Sequence, residues 1–330
     1  MTSTLLKITL QPQSPFITPL ASDTLFGQLC WAIRHTVGEA RLTQLLEGYT
    51  QNQPFVVLSN ALPKGFIPRP TLPLAMLGYD LSDSNNRKDT KKKAWIAIDE
   101  SCLLLQQGLS DWHKHSKGLG EMIDVVIDEK TKMASNNAWQ TVVTQPHNSL
   151  NRLTNTTGSE NGFSPFSRDA TYYHSQAQYD LYAVIDESRF SSDELMTTLN
   201  YIGAFGYGKE ASSGSGKFTV STPQNITLKV HSQANAYLTL GHCAPQGHQW
   251  ISEHCYYNTV VRFGRHGAEA VYMGSPFKNP VLMTVAGAVL TPASFVSKLF
   301  VGQGLTGLSK TISQTVQQGY TPVLPIYLDK

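Results

Sequence analysis

The stretch from Gly203 to Phe218 reads GAFGYGKEASSGSGKF, and it limits the fold more than any other part of the chain. Gly203, Gly206, Gly208, Gly214 and Gly216 permit backbone shapes and close approaches that a Cβ would block. Small residues with exposed amide protons suit phosphate oxygens, and Lys209 and Lys217 bracket Ser212, Ser213 and Ser215 with positive charge. Alone, such a run reads as a flexible surface loop. Its flanks hold it in place. Ser191 and Glu194 have capping-box spacing, and Leu195, Met196, Leu199 and Ile202 recur at helical intervals. A helix is therefore predicted over 192–202, closed by Gly203, with a strand beginning at Lys217–Val220. Helix, loop, strand is the wrong order for a Walker loop or a dinucleotide fingerprint, which both lie between a strand and the next helix. It suits an extended backbone ligand better than a nucleotide cofactor.

Working outward, Tyr179–Asp186 (YDLYAVID) is the clearest strand. Strand, helix, glycine loop and strand make half of a ferredoxin-like βαββαβ unit. The other half would be a strand at 4–10, a helix over 24–37 and a strand near 55–59. Ser22 and Asp23 are its candidate caps, with Leu25, Phe26, Leu29, Cys30, Ile33 and Val37 on the core face. A second helix is expected at 40–49. Residues 1–230 then read as one ferredoxin-like α+β domain with insertions at about 60–175. Residues 231–330 form a smaller C-terminal β-rich or α+β domain, with strand signals at 236–240, 256–262, 281–287 and 322–328.

Between the halves, prolines fix 63–70 as an extended loop presenting Lys64 and Arg69. The run Arg87, Lys88, Lys91, Lys92 and Lys93 reads as a solvated face or a nucleic-acid contact. Trp95, Ile98 and Leu103–Leu105 suggest short helices, and 110–140 has no assignment. Residues 145–175 form a long polar segment, expected as a functional or disordered loop. It interleaves His147, Asn151, Arg152 and Arg168 with Phe163, Phe166, Tyr172 and Tyr173, a mixture that suits single-stranded nucleic acid through phosphate contact and base stacking and equally suits aromatic anchors holding the loop to the core. Arg262 and Arg265 flank a further glycine turn.

The net charge is only +2, so nucleic-acid binding must come from local arrangement rather than bulk charge. No apolar run reaches the roughly 18 residues of a membrane span, and no signal-peptide pattern is seen. Four cysteines without paired spacing suggest a reduced, cytoplasmic protein. His242, Cys243, His248, His254 and Cys255 raise a zinc question, but adjacent His-Cys pairs lack the usual ligand spacing. Neither a metal nor a cofactor is expected. His35 is the candidate general acid/base of an enzymatic alternative, an RNA-processing endonuclease.

SDTLFGQLCWAIR at 22–34, LSNALPKGFIPRP at 58–70, NRLTNTTG at 151–158 and IGAFGYGKEASSGSGKF at 202–218 occur in this order. Together with RFGRHG, GSPF, VGQGL and QQGYTPVLPI, they resemble the RAMP superfamily of CRISPR proteins. More narrowly they resemble the Cas-five-group subunits that cap the 5′ end of the guide RNA in type III-A (Csm-type) effector complexes. The resemblance implies ferredoxin-like folds and binding of the repeat-derived 5′ handle of the crRNA. It implies docking of the large signature subunit, backbone RAMP subunits alongside, and only indirect contact with target RNA. It also implies a non-catalytic role, with no membrane partner.

Overall fold

The computed structural model describes residues 3–79, 92–98, 109–122, 139–158, 164–272 and 274–329. Its first sheet is built on β1 (Ser3–Pro12), which is followed by α1 (Ser22–Thr36) and β2 (Val56–Leu58). Then come β3 (Tyr179–Asp186), α2 (Ser192–Phe205) and β4 (Phe218–Val220). The order across this sheet is β4-β1-β3-β2, antiparallel at each step. β1 and β3 pair over eight residues, from Ser3↔Asp186 to Leu10↔Tyr179. Every residue of β3 is buried. Both of its buried carboxylates are partnered: Asp180 takes hydrogen bonds from the Thr9 hydroxyl at 2.7 Å and the Gly65 amide at 2.9 Å, and Asp186 Oδ1 accepts from the Ser188 hydroxyl at 2.6 Å.

The helices follow their apolar spacing. Leu25, Phe26, Leu29 and Ile33 of α1 are buried, as are Leu195, Leu199 and Ile202 of α2. The capping box of α2 forms as expected: the Glu194 amide donates to Ser191 Oγ and the Ser191 amide to Glu194 Oε2. α2 runs on to Phe205 with Gly206 as its cap, so Gly203 lies inside the helix rather than after it. A Cβ on Gly203 would sit 2.2 Å from the Phe218 carbonyl oxygen, so glycine there permits close packing of α2 on β4. α1 differs from expectation at both ends. It ends at Thr36, leaving Val37 60% exposed, and it has no side-chain cap. Ser22 and Asp23 are drawn instead to residues about 220 positions away, as described below.

The second sheet comprises β5 (Ala236–Thr239), β6 (Val289–Leu290), β7 (Phe300–Leu305) and β8 (Gln317–Ile326), in the order β6-β5-β8-β7. One hydrophobic cluster runs through both sheets, from Leu6 and Val57 to Leu238, Tyr320 and Leu324. The buried Gln318 side chain stitches them together: its Oε1 accepts from the Leu58 amide at 2.9 Å and its Nε2 donates to the Leu58 carbonyl at 2.7 Å.

The insertions are more ordered than the sequence suggests. Within 63–70, expected as loop, Leu62–Pro63 pairs with β3 and Phe66–Pro68 pairs with Trp95–Ala97. Trp95–Ala97 is therefore a strand, not a helix, and pairs in turn with Ser116–Lys117. Residues 112–115 form one helical turn over the buried Trp112. The described parts of the long polar segment include a β-hairpin's two strands, Gln140–His147 paired to Phe166–Tyr173 over eight residues. Arg87, Lys88, Lys91, Leu103–Leu105 and Phe163 lie outside the described residues.

Candidate nucleic-acid interface

The glycine loop is strapped down along much of its length. Residues 13–18 run beside it: the Gly216 amide donates to the Pro15 carbonyl, Lys217 N to Ser14 Oγ, Lys209 N to Thr18 Oγ1, and Gln13 N to the Lys217 carbonyl, all within 2.9 Å. Inside the loop, Tyr207 N donates to the Gly216 carbonyl, Ser213 N and Ser215 N to the Glu210 carbonyl, and Gly214 N to the Ala211 carbonyl. The buried Tyr207 anchors it from beneath, its hydroxyl donating to the Pro19 carbonyl at 2.8 Å.

This bonding corrects the expectation that the amides of 206–216 as a set face a phosphate. Among the described residues, only the amides of Gly208, Glu210, Ala211 and Ser212 in that span make no hydrogen bond. The donor surface of the loop is thus a short arc at 208–212. The exposed side chains of Lys209, Ser212, Ser213 and Lys217 border it. Ser215 is half-buried, and Ser213 Oγ donates to Glu210 Oε2 at 3.3 Å.

The 140–173 hairpin stands next to this arc. It is joined to the strap by the Phe16–Thr171 bridge, and to the loop by an ion pair between Arg168 and Glu210 at 3.2 Å. Glu210 itself adopts a left-handed φ of +63°. Two residues beyond Gln145, which pairs with Arg168, the His147 ring stacks on Phe166 with centroids 5.4 Å apart. At the tip, Asn151 Oδ1 accepts from the Leu153 amide at 2.9 Å and so shapes its own turn, while Arg152 is exposed.

A groove of about 860 Å³ opens beside the strap, and Thr18, Arg69, His242 and Arg262 are all on its wall. Thr18 therefore links the loop to the groove. Arg262 is not a free cation. Its Nε donates to Asp23 Oδ2 at 2.8 Å and its Nη2 to Thr24 Oγ1 at 2.9 Å. His242 Nδ1 lies 3.2 Å from the other Asp23 oxygen, and the His242 amide donates to Ser22 Oγ. Burial pushes the Asp23 carboxyl upward, but the hydrogen bonds from His242 and Arg262 outweigh it and hold it below its ordinary value. Arg69 extends its guanidinium toward the Lys93 carbonyl at 3.5 Å. Lys64, exposed, donates to Gln178 Oε1 at 2.9 Å.

The sequence-derived candidates thus fall into separate places. Arg69 and Arg262 line one groove with Thr18, which is bonded to the loop, and with Thr171 of the hairpin. Arg265 lies elsewhere, over the Phe277 ring at 5.6 Å. His35 is exposed on the last turn of α1 with its ring edge-on to Trp31. The His/Cys residues of 242–255 have dispersed partners: His248 faces the Gly302 carbonyl and Cys255 the Thr291 backbone. No group of three or more metal-ligating side chains occurs among the described residues. None of their helices is long and apolar enough to cross a membrane. Sequence reasoning missed the strap residues Ser14 and Thr18, and the Asp23 hub. Nothing local marks them, because their partners lie some 190–240 positions away.

Solved structures share this architecture. The chain aligns with one in a Csm1-Csm4 cassette in complex with pppApA at 13% identity and a TM-score of 0.54, covering 99% of each chain. It aligns with one in a Csm1-Csm4 cassette in complex with cA4 at 14% identity and 0.56, again over 99% of each. A Csm3-Csm4 subcomplex of a type III-A CRISPR-Cas interference complex matches at 13% identity and 0.56, over 98% of this chain and 100% of that one. Csm4 is the subunit common to all three. The chain has a Csm4-like fold. It is a mixed α/β fold of antiparallel sheets and few helices. No family model matches the sequence, and no curated protein does.

Proposed function

We propose that this chain is the non-catalytic subunit of a type III CRISPR effector complex that binds the 5′ handle of the crRNA and anchors the large signature subunit. The observation that carries the reading is the end-to-end fold match to Csm4 combined with the strapped glycine loop. The order β4-β1-β3-β2 with α1 and α2 as crossovers supports a ferredoxin-like first unit over 1–230, and 231–330 would be the smaller β-rich unit. In this reading the amides of 208–212, with Lys209 and Lys217, hold handle phosphates. Ser212, Ser213 and Ser215 add hydroxyls, and Arg152 with the hairpin tip holds splayed nucleotides. Arg69 and Lys64 are outer phosphate contacts. Csm1- and Csm3-type subunits are the protein partners, target RNA is contacted only indirectly, and the complex is cytoplasmic.

The test is guide retention in the assembled complex. Changing Lys209 and Lys217 together to alanine is expected to weaken crRNA retention by about 1–3 kcal/mol and to flatten its salt dependence. Unchanged retention and salt slope would remove the loop from the RNA path. The endoribonuclease alternative requires His35. His35→Ala is expected to leave guide-RNA processing and content as in the parent chain; loss of cleavage by the purified protein would make the enzymatic reading correct.

A further inference from the structure

Thr259–Arg262 and Val281–Thr284 form a two-stranded ribbon with Val261 opposite Leu282. It continues through the Arg265–Phe277 bridge, with Lys278 N donating to the Gly264 carbonyl at 2.8 Å. Strand alternation sends Arg262 and His266 inward and Val261, Phe263 and Arg265 outward. The inward side is well tied. Arg262 reaches Asp23, His266 Nε2 lies 2.7 Å from Ser309 Oγ, and Met283 is buried. The outward side is bare: Val261 is 48% exposed, Leu282 57%, Phe277 60% and Phe263 75%.

Single exposed apolar side chains are ordinary, but a continuous face of four around one arginine is not. Aromatic residues and arginine without carboxylates is the composition of a protein–protein interface core. The segments 259–266 and 276–284 contain Arg262, Arg265 and Lys278 and no Asp or Glu. Asp23 neutralises Arg262 from within, and the half-buried Lys278 side chain runs along Gly264 on the inward side, so the charge left on the outward face is that of Arg265. We propose that this face docks a second protein chain presenting an apolar strip bordered by carboxylates. The Val261–Leu282 pair decides between protein and RNA. Bases stack on aromatic and guanidinium planes, whereas branched aliphatic side chains are covered well only by other apolar side chains. This inference rests on the effector-subunit reading and names the seat of one protein partner, on residues outside the glycine loop.

The experiment uses the complex purified after co-expression with Csm1- and Csm3-type subunits and guide RNA. With a benzophenone amino acid at position 263, irradiation is expected to give an adduct with a protein subunit. An adduct with RNA, or none, overturns the proposal. Separately, F263D is expected to lower co-purified partner subunit at least tenfold while the chain keeps its guide RNA. Guide loss with the subunits retained, or full assembly, also overturns it. Position 263 is exposed, so the fold should survive, and the crosslink in the parent background decides the matter if it does not. A wild-type chain that joins neither subunits nor guide RNA would overturn the effector reading, and this inference with it.

Discussion

Replacing Gly216 by valine is expected to destabilise the fold by about 3 kcal/mol or more and to abolish guide retention. Gly216 has φ +75°, and a Cβ there would sit 2.1 Å from the Tyr207 carbonyl oxygen and 2.6 Å from the Tyr207 nitrogen. Both opposing atoms are backbone, so relief means breaking the bonds from Tyr207 N to Gly216 and from Gly216 N to Pro15. Gly214 is the control. Its φ is also positive, at +89°, but nothing lies within 4 Å of its added Cβ. Gly214→Ala should cost only the left-handed conformation, about 1–2 kcal/mol. Urea unfolding of the two variants checks this. Equal losses would mean that the strap to residues 13–18 does not hold the loop.

The second large effect centres on Asp23. Its side chain is only 8% exposed, and it pairs with Arg262, which is 25% exposed, and with His242. Asp23→Asn leaves Arg262 facing a neutral amide. Breaking a buried pair from one side costs about 3–5 kcal/mol, and the partial exposure of Arg262 lowers the expectation to about 2–4 kcal/mol. The pH dependence has a definite sign. The carboxyl is held below its ordinary value of 3.8 in the folded chain. Its contribution is therefore complete above that unfolded value and is lost as pH falls through the lower folded one. The stability gap between parent and variant should narrow as pH falls below the ordinary carboxyl value. A gap that does not narrow as pH falls below the ordinary value of 3.8 would refute the charged hub.

Elements governed by near neighbours were legible in the chain. The Ser191–Glu194 box closes over three positions, and the apolar spacing of α2 places Leu195, Leu199 and Ile202 in the core. The strands β1 and β3 were legible because short, largely apolar runs at 4–10 and 181–185 stand between polar residues. The 140–173 hairpin was not. Its strands are mostly exposed or half-buried, so no one-sided apolar pattern marks them, and pairing across the sequence holds them together. Ser22 and Asp23 read as helix caps by residue type. In the fold their oxygens serve His242 and Arg262 instead, a choice no local rule contains.

The candidate site divides the same way. Its glycines, serines and lysines, and the helix and strand that hold them, follow from residue type and short-range spacing. Which of its amides remain available does not. Residues 13–18 and the loop's own carbonyls take most of them, and Glu210 meets Arg168 from a hairpin some forty positions earlier. Spacing rules record geometry within a few turns of backbone, whereas hydrogen-bond satisfaction is settled between segments that only folding brings into contact.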